Sequence, residues 1–447
     1  MKPKIYFDAD KAVSDIFDGA TITISGYGGV GIPDELIEAI IQKNVKDLTV
    51  ITLLFGVVNR LIKHGCIKKI ITTMPRLKQG RIIDMYNMPL IRDSLKSGKV
   101  EVELVNQGII VERIRSGTSG VGAFYTPIGA DTELAEGKET RVINGVTHVL
   151  EYSIKPDFAI CRVDTADTLG NIRYADMFKN INHELITAGQ VTIIQADTIV
   201  SPGSFEPVTS GCFVNKLVKT KNIQPSYRVP NSLKDNPELI NIGQRIGKDL
   251  PGNSLIELGI GIPWYVANHV DKNKGIIIHT EGIYGANSII PNHMPDTNLR
   301  GPTMEVLDLI PGGHTMTYSD SFKVIMRGLI DVAILGAFQV DSKGTFANWK
   351  IPNSDRPPAV GASMELAMYA KQVWISMQHF DPNGNCKIVN DCSYPITARE
   401  VVKRIYTELC TLEVTEQGLK VLDIVGDMSH DELEKRSNMK FIKKDSV

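Results

Sequence analysis

The residues best suited to chemistry lie in Ile278-His279-Thr280-Glu281-Gly282-Ile283-Tyr284-Gly285. One carboxylate stands there between small residues, directly after the β-branched run Gly275-Ile276-Ile277-Ile278. Buried strands ordinarily give way to polar, solvated turns, whereas the glycines beside Glu281 let another molecule approach the backbone closely. Reactive groups of α/β proteins sit in such places, outside the carboxyl ends of the strands. A glutamate so placed is open to four readings: nucleophile, general base, metal ligand, or an ordinary cap for a following helix.

A second chemical feature is the loop Gly26-Tyr27-Gly28-Gly29-Val30-Gly31-Ile32-Pro33, with four glycines in six residues. Such a loop can turn several N–H groups outward at a helix start, where the dipole favours phosphate. No Lys-Ser/Thr follows, so it is not a Walker A loop, and a plain tight turn is the alternative. Gly-Ile-Pro recurs at Gly261-Ile262-Pro263.

The elements that must position these residues alternate. Thr21–Ser25, Leu48–Thr52, Lys69–Thr72, Val100–Leu104 and Phe158–Cys161 have the composition of short buried strands, and Asp34–Ile40 that of an amphipathic helix. Strands alternating with helices predict an α/β fold with mostly parallel sheets. The pattern lapses from about Lys219 to Pro237, a polar stretch that reads as an interdomain connection. Landmarks then repeat in order. Gly26–Pro33 is echoed by Leu258–Pro263, which precedes the helix-like Trp264–Asn268. Likewise Pro156–Ile160 with Asp167–Asn171 is echoed by Ile330–Ile334 with Asp341–Thr345. One α/β unit duplicated in tandem, with a ligand cleft between facing domains, is the expectation.

Bulk properties exclude several classes. A chain of 447 residues is too long for one core, and about two large domains are expected. A net charge of −2 argues against nucleic acid or an anionic membrane as the partner. No apolar run is long enough to span a bilayer, and no leader is evident, so a cytoplasmic location is expected. Six scattered cysteines and nine dispersed histidines lack metal-type spacing, so no metal site is expected.

Taken together the motifs resemble one family, the 3-oxoacid (succinyl-CoA:3-ketoacid type) CoA-transferases of family I, with the two subunit types fused. In the first half the resemblance rests on Gly26–Pro33, Gln107–Arg115, Ala123–Pro127 and Ala135–Glu139. In the second half it rests on Leu258–Pro263, Thr280–Gly285, Leu335–Asp341, Ala347–Trp349 and Val360–Leu366. It implies two similar three-layer α/β domains. The boundaries are 1–220 for an alpha-type domain, 221–237 for the linker and 238–447 for a beta-type domain carrying the nucleophile. It also implies a ping-pong reaction in which Glu281 attacks an acyl-CoA and carries CoA as a glutamyl thioester to a second carboxylate. Coenzyme A is then substrate and transient adduct, with no permanent cofactor.

The resemblance places Gln107 near the reacting centre and makes Gly361 and Ala362 candidates for backbone donors to the developing oxyanion. Coenzyme A contacts are implied at Gly26, Tyr27, Gly28, Gly29, Val30, Gly31, Ile32, Gly259, Gly261 and Asn348. From composition alone Gln107 also fits a satisfied loop residue, Gly361 a helix-start turn, and Asn348 an Asx turn paired with Asp341. Arg327 is expected on a partly buried helix beside an acid, Cys386 and Cys392 in the core, and the three tryptophans in packing roles. The family's fused units suggest a homodimer or homotetramer.

Departures from the family bear on the substrate. Its Ser-Glu-Asn-Gly is Thr280-Glu281-Gly282-Ile283 here, and its Asn-Asn pair falls on Leu53-Leu54-Phe55-Gly56. Its Gly-Gly-Ala-Met-Asp is Gly361-Ala362-Ser363-Met364-Glu365. A less polar acyl pocket is expected, taking a short or medium acyl-CoA with acetate or another small carboxylate. Two other readings stay open: an acyl-CoA hydrolase using the same intermediate, and a sugar-phosphate-binding sensor or isomerase on a related fold.

Overall fold

The computed structural model describes residues 4–27, 29–53, 55–73, 93–94, 96–222, 235–280, 282–289, 298–301, 305–354 and 358–443. Glu281, Gly28 and Leu54 lie outside the described residues.

Two large sheets organise them. In the first, eight strands run parallel in the order Lys4–Tyr6, Lys216–Lys219, Val191–Val200, Phe158–Asp167, Thr21–Ile24, Leu48–Ile51, Ile67–Thr72 and Glu101–Leu104. The order grows outward on both sides of Thr21–Ile24, so right-handed crossovers place the connecting helices on opposite faces. Burial on both faces explains why Ile22, Val50, Ile160 and Ile194 are all 0% exposed.

The second sheet has a parallel centre of Ile277–Thr280, Leu255–Leu258, Val332–Leu335, Gln372–Ser376 and Val402–Tyr406. Antiparallel strands extend it at both edges: Ile283–Ile289 and Leu307–Thr315 on one side, Cys410–Thr415 and Gly418–Ile424 on the other. Parallel strands need crossover connections, while antiparallel neighbours such as Cys410–Thr415 and Gly418–Ile424 can be joined by a tight turn.

The duplication is visible in matching hydrogen bonds. Thr21 donates its N–H to Asp157 Oδ2 at 2.8 Å while Asp157 N–H returns to Thr21 O at 2.8 Å. Leu255 and Asp331 repeat the exchange at 2.8 and 2.7 Å. At the far end of the same strands Ser25 N–H meets Ile160 O at 3.0 Å, and Gly259 N–H meets Ile334 O at 2.8 Å. The Asp167 and Asp341 turns also match, each carboxylate accepting the N–H groups two and four residues on at 2.9 Å. The Asx-turn composition read for Asp341 is thus realised.

The helix-like Trp264–Asn268 lies in a 3₁₀ helix, Ile262–His269. The cap reading of Glu281 fails because no helix follows. Thr280 pairs with Ile283 across an antiparallel ladder, leaving only residues 281 and 282 between two strands. Gly282 has φ +84°, the left-handed conformation such short hairpin links require.

Candidate active site

The chain on either side of Glu281 fixes the site. Thr280 is fully buried at the end of its strand. Gly282 donates its N–H to Ser321 Oγ at 3.2 Å and accepts from Met316 N–H at 2.8 Å. A Cβ at Gly282 would lie 3.2 Å from Met316 O and 3.7 Å from the Tyr318 ring. The link therefore rests directly on the start of the helix Tyr318–Met326.

That helix meets one from the first half. Gln107 begins Gln107–Thr118 and is 2% exposed. Its Nε2 donates to the Tyr318 hydroxyl at 3.0 Å, and its backbone N–H donates to Gly361 O at 3.0 Å. The next residue must be glycine, because a Cβ at Gly108 would fall 2.6 Å from Phe322 Cδ1. Tyr27 packs edge to face on Tyr318 with ring centroids 5.4 Å apart. Gln107, Tyr27 and the residue after Glu281 thus converge on one tyrosine, and Gly361 joins them through Gln107.

A cavity of about 820 Å³ opens beside them, lined by Tyr27 and Gln107 from the first half and otherwise by residues of the second half. Its floor is the carboxyl end of three adjacent parallel strands, where Leu258–Ile260, Leu335–Phe338 and Ser376–Gln378 emerge. A crevice at that end of a parallel sheet is where α/β proteins bind ligands.

Gly361, Ala362 and Ser363 line the cavity at the start of the helix Ser363–Tyr369. Their N–H groups have no acceptor among the described residues, which leaves them free to bind an anionic oxygen. Gly361 has φ +61°, a conformation that turns the backbone at this point. Asn348 holds the segment in place. Its Nδ2 donates to Gly336 O at 3.1 Å and Ser363 Oγ at 3.0 Å, and its Oδ1 accepts from Thr397 Oγ1 at 2.8 Å. Asn348 also lines the cavity, with both of its side-chain amide protons engaged by these partners.

The glycine loop of the first half is a different matter. Tyr27 and Val30 exchange N–H bonds at 3.0 and 2.9 Å, closing a tight turn, while the N–H groups of Gly29, Gly31 and Ile32 have no acceptor among the described residues. The helix behind it opens with Asp34 and Glu35, which repel an anion. Gly26, Val30 and Gly31 are buried, and Gly26, Gly29, Val30, Gly31 and Ile32 do not line the cavity. A Cβ on Gly31 would meet Arg162 O at 3.4 Å and the Phe178 ring at 3.6 Å. Among the described residues of the loop, Tyr27 is the one that lines the cavity. In the second half Gly259 and Ile262 line the cavity, while Gly261, at φ 94° and ψ −121°, makes the bend between them.

Two buried carboxyl groups at the site escape a reading of the sequence. Glu365 is fully buried and accepts the Gly108 N–H at 2.9 Å, tying the second half to the start of the Gln107 helix. Burial pushes it up to about 7, against the pull of the backbone N–H groups it accepts. Glu257 lines the cavity, and burial raises it despite the adjacent His279. Neither follows a sequence pattern; each is a polar residue on an otherwise apolar element. Leu53 is 2% exposed and away from the cavity, so it contributes nothing to the polarity of an acyl pocket there. Cys386 lines the cavity and is only partly buried, as is Cys392. Arg327 is an exposed helix C-cap with no ion pair among the described residues. All three tryptophans are buried, at 1–3% exposure.

The chain matches the model of the family described as Coenzyme A transferase over residues 6–219 and 240–430. It is 29% identical over 477 aligned positions to the mitochondrial succinyl-CoA:3-ketoacid coenzyme A transferase 2A of Rattus norvegicus, covering 98% of this chain and 90% of that one. It is 39% identical over 203 positions to one of the subunits of the 3-oxoadipate CoA-transferase of Pseudomonas putida, covering 45% of this chain and 95% of that shorter one. In fold it is similar to an acyl-CoA transferase of Escherichia coli O157:H7. The TM-score is 0.78 at 16% identity, with 100% of this chain and 96% of that chain covered. The bacterial protein has also been solved as a thioester complex with CoA, and that structure matches with TM-score 0.77. The two-sheet α/β architecture, the duplicated halves and the matched sequence agree: the chain belongs to the coenzyme A transferase family and is a CoA-transferase with both subunit types in one polypeptide.

Proposed function

We propose that this CoA-transferase works by a ping-pong relay through Glu281. A Glu281 carboxylate oxygen attacks the carbonyl carbon of an acyl-CoA, and CoA leaves as its thiolate. The thiolate sulfur then attacks the glutamyl carbonyl of the resulting anhydride, expelling the first carboxylate and leaving a glutamyl-CoA thioester. A second carboxylate reverses the sequence and departs with CoA. The anhydride keeps the thioester's activation, provided water is excluded. The observation that carries this reading is the chain of contacts from Gly282 through Tyr318 and Gln107 to Gly361, where residues 361–363 line the cavity with N–H groups that have no acceptor among the described residues. In this reading Gln107 orients the reacting carbonyl, and Gly361 and Ala362 stabilise its oxyanion.

Short or medium acyl-CoA with acetate or another small carboxylate is the proposed substrate pair, and the division at 221–237 the proposed domain boundary. A cytoplasmic homodimer or homotetramer is proposed as the working form. The test is incubation with acyl-CoA and no acceptor, then mass spectrometry of the Glu281 peptide. A CoA adduct in the parent enzyme, lost in Glu281→Gln together with turnover, supports the relay. Full activity in Glu281→Gln with no adduct in the parent ends it. CoA release without an acceptor marks a hydrolase, and a best pair of succinyl-CoA with acetoacetate overturns the substrate assignment.

A further inference from the structure

Behind the 281–282 link runs a continuous polar chain buried in an apolar sheet. Glu257, on the strand Leu255–Leu258, lines the cavity and is 5% exposed. Its Oε2 accepts from His279 Nδ1, on the adjacent parallel strand and fully buried. His279 Nε2 lies 3.1 Å from Ser321 Oγ, on the helix Tyr318–Met326 and 3% exposed. Ser321 Oγ in turn accepts the N–H of Gly282 at 3.2 Å.

We propose that Glu257, His279 and Ser321 form a positioning relay that holds the turn carrying Glu281 in register for attack. The proposal rests on Glu281 being the nucleophile.

The direction of the hydrogen bonds supports it. Ser321 Oγ must accept from Gly282, because an amide N–H can only donate. Its own proton is then free for His279 Nε2, which requires the other ring nitrogen to carry the hydrogen. A carboxyl oxygen of Glu257 is there to receive it. One tautomer of His279 therefore satisfies every group, and the carboxyl selects it, as second-layer acids do for histidines in other sites.

Its placement argues against a purely structural role. Three polar side chains buried among aliphatic strands cost several kcal/mol of desolvation unless fully paired, and an apolar triplet would fill the same space. The chain also spans three elements and ends on the backbone amide of Gly282, which directly follows Glu281. The His279 strand pairs irregularly with its hairpin partner between Ile278 and His279, so ladder bonds alone do not set the register there. A 1 Å misplacement of a reacting group can cost about a hundredfold in rate. Glu257 Oε1 has no hydrogen-bond partner among the described residues, so the chain begins at the cavity wall and ends at the turn.

The experiment uses the full-length enzyme with butyryl-CoA, first without acceptor and then with acetate. It reads the rate of CoA adduct formation on the Glu281 peptide, kcat, the acyl-CoA KM and the thermal midpoint. Ser321→Ala breaks the final link. His279→Asn keeps the nitrogen facing Glu257 and loses the one facing Ser321. Both are expected to slow adduct formation and kcat about tenfold to a hundredfold, with KM within about twofold. Each also leaves a buried polar group unpaired, so the thermal midpoint is expected to fall and the rates are compared well below it. Ser321→Thr keeps the hydroxyl and is expected to stay within about threefold of the parent in the same rate comparison. Parent-like adduct rates in both Ser321→Ala and His279→Asn overturn the relay. So does a loss in Ser321→Thr equal to that in Ser321→Ala, which would assign the effect to packing. Absence of any adduct in the parent enzyme instead overturns the Glu281 reading, and the relay with it.

Discussion

The Gln107 side-chain amide donates to the Tyr318 hydroxyl at 3.0 Å, joining two helix starts 211 residues apart in sequence. One comes from each half of the chain, and the bond lies on the cavity wall at Gln107. It sets where the Gln107 carbonyl oxygen can point, because one amide proton is already committed.

Tyr318→Phe removes that acceptor and little volume. The expected result is a fall in kcat of about tenfold or more together with a stability loss of about 1–3 kcal/mol, the cost of leaving the buried Gln107 amide unpaired. Gln107→Leu should cost as much or more. Steady-state kinetics on both variants and the double variant test the coupling, and additive losses would mean that the two residues act independently.

Gly361→Ala is predicted to impair both folding and turnover. A residue with a Cβ at φ +61° costs about 1–2 kcal/mol, and strain there displaces the free N–H groups at 361–363. A kcat loss of about a hundredfold, seen in single turnover with acyl-CoA, is the expectation for a spoiled oxyanion donor. Ala362→Gly, which leaves the N–H in place, should be far milder.

Gly108 lets two helices touch. Gly108→Ala drives a methyl to within 2.6 Å of the Phe322 ring, which must shift. Overpacking of this kind costs about 1–3 kcal/mol. Chemical denaturation should show that loss, and Phe322→Leu in the same chain should recover part of it by making room.

Glu365 gives stability a pH dependence of known sign. Burial raises its carboxyl from 4.5 to about 7, so the folded chain holds a proton that the unfolded chain releases. The folded form is favoured most below pH 4.5, and the advantage is lost as pH rises through about 7. His379 works in the opposite direction, because burial and the nearby Arg436 and Lys387 hold it down to about 4. Its contribution is present above 6.5 and lost as pH falls toward about 4. The two partly cancel in the parent protein. Glu365→Gln should remove only the first, so the difference in unfolding free energy between parent and variant should change between pH 4.5 and about 7 and be flat above it. Equilibrium unfolding at a series of pH values measures this, and a pH-independent difference would contradict it.

Much of the fold is legible because it is written in local patterns. Alternating β-branched runs mark the central strands, and repeated landmarks mark the duplication. The Asp157 and Asp331 exchanges show why those landmarks recur, since each closes the same strand junction. The glycine loop misleads because glycine content reports backbone freedom without direction. Among the loop's described residues Tyr27 alone reaches the cavity wall, while the less conspicuous segment at 361–363 lines it throughout. Leu53 misleads in the same way, since side-chain type says nothing about which wall it faces.

The sequence alone determined the class of fold, the pairing of its halves and the isolation of one carboxylate in a glycine-bordered link. Those properties follow from periodicity and backbone conformation, which neighbouring residues set among themselves. Only the tertiary structure decided that the link joins two strands rather than leading into a helix. It also decided that Gln107 meets Tyr318, and that Glu257, His279 and Ser321 line up behind the turn. Such meetings depend on strand order and on how closely helices dock at Gly108, and these are settled by burying the whole core at once rather than by any local stretch of chain.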